Sequence, residues 1–289
     1  MKRREFIRDT VAAGTALLSL DKFPYHLYAA NSKKTAQDVV TLGKTGIRVT
    51  RLAQGTGTNG VGKSSNQTRI GEQGLADLLA AGVDNDVTFW DLADQYGSHP
   101  HARLALKAVP RDKVVILSKT HASTEAEMRA DLDRFRQEIG TDVIDIVLLH
   151  CMRSADWPQQ KAGAMAVLEE AKQKGVIRAH GVSCHDLGAL KVAAESDWVD
   201  VDLARLNPIG AHMDADPTTV ISVLRTMKQK GKGVIGMKIL AQGDLRDRVD
   251  EALQYALAQD VLDCFTIGAE SQAEFQGLLK KIPAASVRA

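Results

Sequence analysis

The sequence contains few of the residues that mark several common classes of protein. Aromatic residues make up only 4% of the 289 residues, and 37 basic side chains are balanced by 36 acidic ones, which leaves a formal net charge of +1. A nucleic-acid-binding surface needs a basic stripe or stacking aromatic residues, so nucleic acid is not expected as a partner. The chain length and the hydrophobic fraction of 44% fit one large domain or two small ones.

Cysteine is scarce as well. The chain has three cysteines, Cys151, Cys184 and Cys264, and no two of them form a C-x-x-C pair. This spacing gives no support for a zinc knuckle or an iron–sulfur cluster, because both need closely spaced thiolates. An odd number of cysteines also argues against a complete disulfide framework, even for a protein that enters an oxidising compartment.

The N-terminus has a composition of its own. The paired arginines Arg3 and Arg4 precede Phe6, Ile7 and the apolar stretch VAAGTALLSL at 11–20. Ten residues are too few to cross a bilayer comfortably, so no stable membrane span is expected. The pattern predicts a twin-arginine export signal. The alternative is a basic amphipathic helix with frayed ends.

This interpretation divides the chain into three segments. Residues 1–30 are the predicted signal peptide, residues 31–38 are a polar connector, and residues 39–289 are the folded domain. The signal predicts the twin-arginine export machinery as a partner, and it predicts a periplasmic or extracellular location for the protein.

Strand-like and helix-like segments alternate throughout the folded domain. Apolar runs such as KVVILSKT (113–120) and DVIDIVLLH (142–150) alternate with amphipathic segments such as STEAEMRADLDRFRQEIG (123–140). Eight such units follow one another over about 240 residues, which is close to the length of a (β/α)8 barrel. The runs are continuously apolar, as strands buried on both faces of a parallel sheet require. We therefore predict an α/β fold, a (β/α)8 TIM barrel.

An open, doubly wound sheet is the alternative architecture. Such sheets carry a glycine-rich turn after the first strand, and Gly55, Gly57 and Gly60 have the spacing G-x-G-x-x-G. These glycines do not lie in a clean strand–turn–helix context, so the match is weak. We interpret them as part of a flexible first loop that can approach a ligand closely.

Polar residues follow the predicted strands at the end where a barrel has its active site. Asp91 and Tyr96 follow the second strand, Lys119 ends the third and His150 ends the fourth. Taken singly, each is typical of a helix cap or a solvated rim residue, and a fold alone does not define a function. Together they come from three consecutive strands and point to one end of the barrel.

These four residue types form a chemical set. A phenol with a pKa of about 10 is a poor acid at neutral pH, and a nearby ammonium lowers that pKa. A buried ammonium needs a carboxylate partner, and a neutral imidazole donates a hydrogen bond that orients a carbonyl oxygen. The set therefore predicts proton delivery to a carbonyl group. Such chemistry requires a hydride donor, which implies a nicotinamide cofactor.

The same segments resemble the aldo-keto reductase family. TLGKTGIRVTRLAQGT (41–56) is similar to the opening hairpin and first strand of the family. FWDLADQYG (89–97) is similar to its Asp-plus-Tyr motif, and GVIRAHGVS (175–183) to its fifth strand. The resemblance covers about residues 39–279. It implies a short N-terminal β-hairpin in addition to the barrel.

The resemblance also implies an activity and roles for the four residues. Tyr96 is implied as the general acid/base, Lys119 and Asp91 as the groups that tune it, and His150 as the group that orients the substrate carbonyl. The implied reaction is hydride transfer between NAD(P)H and a small carbonyl, alcohol or sugar-like substrate. It leaves open whether the protein is a homo-oligomer.

The implied contacts to the nicotinamide depart from the family pattern. Ser183 matches one carboxamide ligand, but Cys184 and Leu203 stand where the family commonly has Asn and Gln. Asn207 matches a common Asn-Pro at the end of the sixth strand. Met237 stands where the family has a stacking aromatic residue, and a thioether can also pack on a ring face.

The implied contacts at the phosphate end favour NADH over NADPH. Lys238 is either a pyrophosphate ligand or a solvated rim residue, and backbone amides near Ser271 can bind an anion. The basic residues that bind a 2′-phosphate in the family are absent from GAESQAEFQGLL (268–279), where Glu270 and Glu274 stand instead. Carboxylates repel a 2′-phosphate and can bond to a free ribose hydroxyl.

Two other functions stay open on the sequence alone. One is a metal-dependent barrel hydrolase or isomerase, although its candidate ligands lack regular metal-site spacing. Those candidates are His99, His101, His180, His185 and Asp91. The other is a non-catalytic or regulatory ligand-binding protein on a reductase scaffold, which the departures at the cofactor contacts motivate.

Overall fold

The computed structural model describes residues 33–286 of the chain. The predicted signal peptide, residues 1–30, lies outside the described residues. Among the helices of residues 33–286, none is both long and apolar enough to cross a membrane.

Ten strands in residues 33–286 form a hairpin and a closed barrel. They are β1 (Val39–Thr41), β2 (Arg48–Thr50), β3 (Leu52–Gly55), β4 (Phe89–Asp91), β5 (Val115–Thr120), β6 (Ile144–Met152), β7 (Ile177–Cys184), β8 (Val201–Arg205), β9 (Gly233–Met237) and β10 (Cys264–Ile267). Strands β1 and β2 pair antiparallel. The other eight pair in parallel in the closed order β10-β3-β4-β5-β6-β7-β8-β9. This closure confirms the predicted (β/α)8 barrel and excludes the open sheet.

Helices surround the barrel within the same residues. They are α1 (Glu72–Asp84), α2 (His99–Ala105), α3 (Glu125–Ile139), α4 (Trp157–Gln160), α5 (Ala162–Gln173), α6 (Leu187–Glu195), α7 (Pro217–Gln229), α8 (Val249–Ala258) and α9 (Gln272–Ser286). Their apolar faces pack on the outer face of the barrel. In α3, for example, Leu132 and Phe135 belong to the same buried cluster as Val147 and Leu149 of β6.

Side chains at alternate positions of each strand fill the interior of the barrel, as the two-residue period of a strand requires. Phe89 of β4, Leu117 of β5 and Leu148 of β6 lie in one interior cluster with Leu203 of β8 and Ile235 of β9. The residues between them point outwards to the helices. This alternation determines which residues at the strand ends face the mouth of the barrel.

The hairpin covers the opposite end of the barrel. Leu42, Ile47 and Val49 are almost fully buried and belong to the interior cluster. The backbone N–H of Lys44 donates to the carbonyl of Gly231, two residues before the start of β9, at 2.7 Å. Since β3 follows the hairpin directly, the hairpin lies at the N-terminal ends of the strands, and it leaves the C-terminal ends open for a site.

Candidate active site

The alternation that fills the barrel also orients its polar residues. Phe89 faces the interior, so Asp91, two residues later at the C-terminal end of β4, faces it as well. In β5, Lys119 stands two residues after the interior Leu117 and therefore also faces the interior. In β6, His150 stands two residues after the interior Leu148 and does the same. All three side chains are at least nine-tenths buried. The barrel therefore brings these predicted residues to one mouth.

Lys119 and Asp91 form a buried ion pair. Lys119 has no exposed surface, and its ammonium pairs with the Asp91 carboxylate and donates a hydrogen bond to the carbonyl of Leu92 at 2.8 Å. Burial lowers the pKa of Lys119, and the carboxylate of Asp91 opposes that effect. The pair is the arrangement that a buried ammonium needs in order to keep its charge.

Tyr96 completes the predicted group of four. It ends a short 3-10 helix (Asp94–Tyr96), and its hydroxyl lies 3.4 Å from Nε2 of His150. The two rings meet edge to face, with centroids 5.5 Å apart. The ammonium of Lys119 lies over the face of the Tyr96 ring, 4.7 Å from its centroid. The structure therefore brings all four residues together.

The protonation of these groups differs from the sequence-based expectation in one respect. Burial raises the pKa of Tyr96 well above its usual value, and the Asp91 carboxylate adds to the rise. The net direction of the shift in the Tyr96 pKa is therefore opposite to the expected lowering, because burial penalises the phenolate and the Asp91 carboxylate adds to that effect. Burial and the charge of Lys119 hold the pKa of His150 well below its usual value. At neutral pH the site therefore has a protonated phenol beside a neutral imidazole.

The end of β6 is irregular just after His150. Its pairing with β7 shifts register between Leu149 and Met152, and Cys151 has a positive φ of 60°. The N–H of Cys151 donates to the hydroxyl oxygen of Ser183 at 3.0 Å. This bulge redirects the chain at the mouth of the barrel, as bulges beside active sites commonly do, and it connects the ends of β6 and β7.

The residues predicted at the nicotinamide end line the same mouth. Ser183 is buried, and its hydroxyl hydrogen has no partner among residues 33–286, so it can still donate. Met237 lies beside Arg205 in the β8–β9 register and belongs to the interior cluster. Lys238 follows with a φ of 55°, and its ammonium makes no hydrogen bond or ion pair within the described chain.

Asn207 has partners of its own. It is fully buried, and its side-chain amide donates to the carbonyls of Ala211 at 2.8 Å and Lys238 at 3.3 Å. Its side-chain oxygen accepts from the N–H of Ile209 at 3.3 Å. These bonds fix the loop after β8 against the loop after β9. A contact between Asn207 and a cofactor stays a prediction.

Two carboxylates form hydrogen bonds at the start of α9. Glu274 accepts a hydrogen bond from the N–H of Glu270 at 2.7 Å, while the Glu274 N–H donates to the hydroxyl of Ser271 at 3.2 Å. The carboxylate of Glu270 accepts from the side chain of Asn66 at 2.6 Å. Three of the residues predicted at the phosphate end therefore lie together, beside the loop that follows β3.

Two further groups lie at the mouth, and the first of them was missed by the sequence analysis. His121 stacks on His150, with ring centroids 4.8 Å apart and planes 25° apart, and its position directly after the end of β5 was the available signal. Arg205, at the end of β8, pairs with the fully buried carboxylate of Asp214. Asp214 lies in a loop nine residues later, so its contact left no pattern in the sequence.

The candidate ligands for a metal do not come together. His99 contacts Ser118 and Glu138 at 2.7 and 2.8 Å, His180 contacts Glu169 at 3.0 Å, and Asp91 pairs with Lys119. In residues 33–286, one group of potential metal ligands does converge, but the charge of an arginine already neutralises its carboxylates. That group is Asp94, His99 and Glu138, with the guanidinium of Arg134 2.5 Å from Asp94 and 3.0 Å from Glu138.

A phenol, an imidazole and a buried lysine–aspartate pair lie together at the C-terminal ends of the strands of a closed barrel. This fold and this site are those of a TIM-barrel oxidoreductase. The aldo/keto reductase family model matches residues 52–273, and the chain belongs to this family. It is an oxidoreductase that uses a nicotinamide cofactor.

Similar proteins are distant in sequence. An L-galactose dehydrogenase of Arabidopsis thaliana is 24% identical over 228 residues, which cover 74% of this chain and 69% of that protein. A D-threo-aldose 1-dehydrogenase of a Pseudomonas species is 22% identical over 199 residues, which cover 57% of this chain and 59% of that protein.

Solved structures share the fold. A structure of an aldo-keto reductase from Bacillus halodurans, in its holo form, has a TM-score of 0.68 at 18% identity and covers 85% of this chain and 90% of its own. A Pseudomonas aeruginosa protein has a TM-score of 0.73 at 22% identity and covers 88% of this chain and 98% of its own.

Proposed function

We propose that Tyr96 is the general acid/base of a reversible carbonyl reduction. The observation that carries this proposal is the phenol kept protonated at 3.4 Å from a neutral His150. In the reducing direction the substrate carbon receives a hydride, which a bound nicotinamide supplies, and Tyr96 gives its proton to the carbonyl oxygen. In the oxidising direction the Tyr96 phenolate takes the proton from the alcohol.

The other three residues support that proton transfer. His150 orients the carbonyl oxygen by a hydrogen bond, because its imidazole is neutral at neutral pH. When the proton leaves, the ammonium of Lys119 over the ring stabilises the phenolate. Asp91 keeps that ammonium charged and in place.

Substitution of Tyr96 tests this proposal. Tyr96→Phe removes the proton donor but keeps the ring, so turnover falls by about 10² to 10⁴-fold, the usual contribution of general acid catalysis. The dissociation constant of the cofactor, measured by nicotinamide fluorescence, stays unchanged. Tyr255→Phe on α8 is the matched control. Full activity of Tyr96→Phe would overturn the assignment.

The nicotinamide end of the cofactor fits the residues at the mouth. The free hydroxyl hydrogen of Ser183 can donate to a carboxamide oxygen, and the apolar side chain of Met237 can pack on a ring face. Lys238, an unpaired cation beside them, suits the pyrophosphate. Ser183→Ala, Met237→Ala and Lys238→Met are each expected to weaken cofactor binding.

We infer that NADH is preferred over NADPH. Glu270 and Glu274 flank the start of α9, where backbone amides near Ser271 suit an anion. Their carboxylates repel a 2′-phosphate, whereas a ribose hydroxyl can donate to them. Fluorescence titration should give a smaller dissociation constant for NADH than for NADPH. The double variant Glu270→Gln with Glu274→Gln should reduce the ratio between the two dissociation constants. Tighter binding of NADPH would contradict the inference, and binding of neither would favour the non-catalytic alternative.

A sugar-like substrate is the choice that the similar proteins support, since two of them act on L-galactose and on D-threo-aldoses by name. The test is a panel of aldoses assayed with NAD⁺ against simple aliphatic alcohols. The proposal predicts higher kcat/KM for aldoses. Activity confined to the aliphatic alcohols would contradict it.

We also propose that the protein is exported by the twin-arginine route to the periplasm or beyond. The support is the sequence of residues 1–30, with the arginine pair ahead of a short apolar stretch. Replacing both Arg3 and Arg4 by Lys should leave the protein in the cytoplasmic fraction, and Arg8→Lys is the matched control. An unchanged distribution between the fractions would refute this proposal.

A further inference from the structure

Gly57 and Gly60, the last two glycines of the G-x-G-x-x-G spacing, lie against Tyr96. A Cβ atom on Gly57 would stand 2.2 Å from Cε2 and 2.3 Å from Cζ of the Tyr96 ring, and Cζ is the atom that bears the hydroxyl. A Cβ atom on Gly60 would stand 2.3 Å from Cδ1 and 2.8 Å from Cε1. The two glycines thus approach the two edges of one ring, and no other residue type leaves space for it.

The loop after β3 (residues 56–67) is also bonded to both ends of the Asp91–Tyr96 segment. Thr56 donates to the carbonyl of Asp91 through its N–H at 3.1 Å and through its hydroxyl at 2.8 Å. Near Tyr96, the side chain of Gln95 donates to the carbonyl of Gly60 at 2.8 Å. The N–H of Lys63 donates to the carbonyl of Gln95 at 2.9 Å.

We propose that Gly57 and Gly60 are positioning residues, which let the β3 loop pack directly on Tyr96 and fix its hydroxyl beside His150. The inference rests on the proposed role of Tyr96. It replaces the sequence-based interpretation of these glycines, since the surface they approach is a side chain of the protein.

A methyl group at Gly57 displaces the hydroxyl itself. Carbon atoms in contact prefer a separation of about 3.5–4.0 Å, so a Cβ atom at 2.2 Å pushes the ring or the loop by about 1 Å or more. A misplacement of about 1 Å in a reacting group lowers a rate by about 100-fold. Neither glycine is among the residues proposed to bind the cofactor, so we expect the cofactor dissociation constant to stay unchanged.

The test compares glycine-to-alanine variants across the loop. Gly57→Ala and Gly60→Ala should each lower kcat by about 100-fold, with the cofactor dissociation constant unchanged. Gly62→Ala is the control within the loop. Gly62 has a positive φ of 59° but nothing within 4 Å of its Cβ position, so alanine there strains the backbone without contacting Tyr96. Equal losses in all three variants would show that loop integrity matters and would overturn the proposal.

A second measurement is independent of activity. Ultraviolet titration, with Tyr96→Phe as the blank, reports the ionisation of the Tyr96 phenol. A ring moved out of its buried position in Gly57→Ala or Gly60→Ala should titrate at a lower pH, nearer its usual pKa of about 10. An unchanged titration together with unchanged kcat would refute the positioning role. Full activity of Tyr96→Phe would refute the proposed function, while the titration would still show whether the glycines fix the ring.

Discussion

At the scale of single residues, the buried ion pair between Lys119 and Asp91 is the part of the site on which the other contacts depend. Lys119 reaches the ring of Tyr96 while it is bonded to Asp91 and to the carbonyl of Leu92. A cation in the interior is stable only with such partners. The pair therefore contributes to the fold and to the chemistry at the same time.

Removing one partner of the pair is expected to affect stability and activity together. Lys119→Met leaves the carboxylate of Asp91 buried without a counter-charge, and breaking a buried pair in this way destabilises a protein by about 3–5 kcal/mol. Urea unfolding measures this loss. The double variant Lys119→Met with Asp91→Leu should regain stability but not turnover.

The ion pair between Lys63 and Asp94 is the matched control. The Lys63 side chain is 54% exposed, and exposed pairs contribute about 0–1 kcal/mol. Lys63→Met should therefore change the free energy of unfolding by no more than that. A loss in Lys63→Met as large as the loss in Lys119→Met would contradict the argument from burial.

The sequence was sufficient to predict the four residues of the site but not their electrostatics. Asp91, Lys119 and His150 each lie at the end of an apolar run, so the period of two aligned them correctly. Tyr96 was predicted from its five-residue distance to Asp91 in the family motif. The pKa of Tyr96 depends on how deeply the ring is buried and on where the Asp91 carboxylate lies relative to it. Those quantities come from packing between segments that are far apart in the sequence.

At the scale of elements, the hairpin of β1 and β2 contributes to the interior of the barrel. Ile47 is 1% exposed and lies in the interior cluster, whereas Val39 on the same hairpin is 54% exposed. The hairpin is thus a lid on one end of the barrel, with one buried and one exposed face.

Truncation on the two faces of the hairpin should have different effects. Ile47→Ala leaves a cavity in the interior and should lower the free energy of unfolding by about 2–5 kcal/mol. Val39→Ala, on the exposed face, should change it by less than about 0.5 kcal/mol. Denaturant unfolding of both variants measures the difference. Equal effects would show that the hairpin does not close the barrel.

Loops are the elements that the sequence predicted least well. The spacing of Gly55, Gly57 and Gly60 predicted a close approach. It did not predict that Gly57 and Gly60 approach Tyr96, because Tyr96 lies in a different segment of the chain. Asn207 matched a family position, yet its amide bonds to Ala211 and Lys238. Hydrogen bonds between loops depend on backbone conformations for which the sequence carries no periodic signal.

At the scale of the whole molecule, one buried carboxyl group connects stability to pH. Asp202 of β8 points outwards from the barrel and is fully buried. Burial raises its pKa to about 8, and the carboxylate of Asp214 adds to the rise. The folded protein therefore retains a proton on Asp202 at a pH where the unfolded chain has lost it.

The sign of the pH effect follows from this difference. The contribution of Asp202 to stability is full below its usual pKa and is lost as the pH rises through about 8. Between these limits the loss is about 1.4 kcal/mol per pH unit. Asp202→Asn should flatten the decline in the free energy of unfolding between pH 5 and pH 8, measured with urea. The exposed Asp142→Asn is the control, and identical slopes in wild type and Asp202→Asn would contradict the assignment.

The alternation of inward and outward side chains along the strands has a genetic consequence. In β5, Leu117 packs in the core and Lys119 belongs to the active site. Their side chains stay on the same face of the strand only while one residue separates them. Deleting a single codon within β5 would turn Lys119 towards the helices, so a one-residue deletion there should abolish function. The same deletion in an exposed loop, such as residues 246–248, moves no strand out of phase. We therefore expect lineages of this protein to vary in the length of exposed loops such as residues 246–248 but not in the lengths of the strands that carry the site.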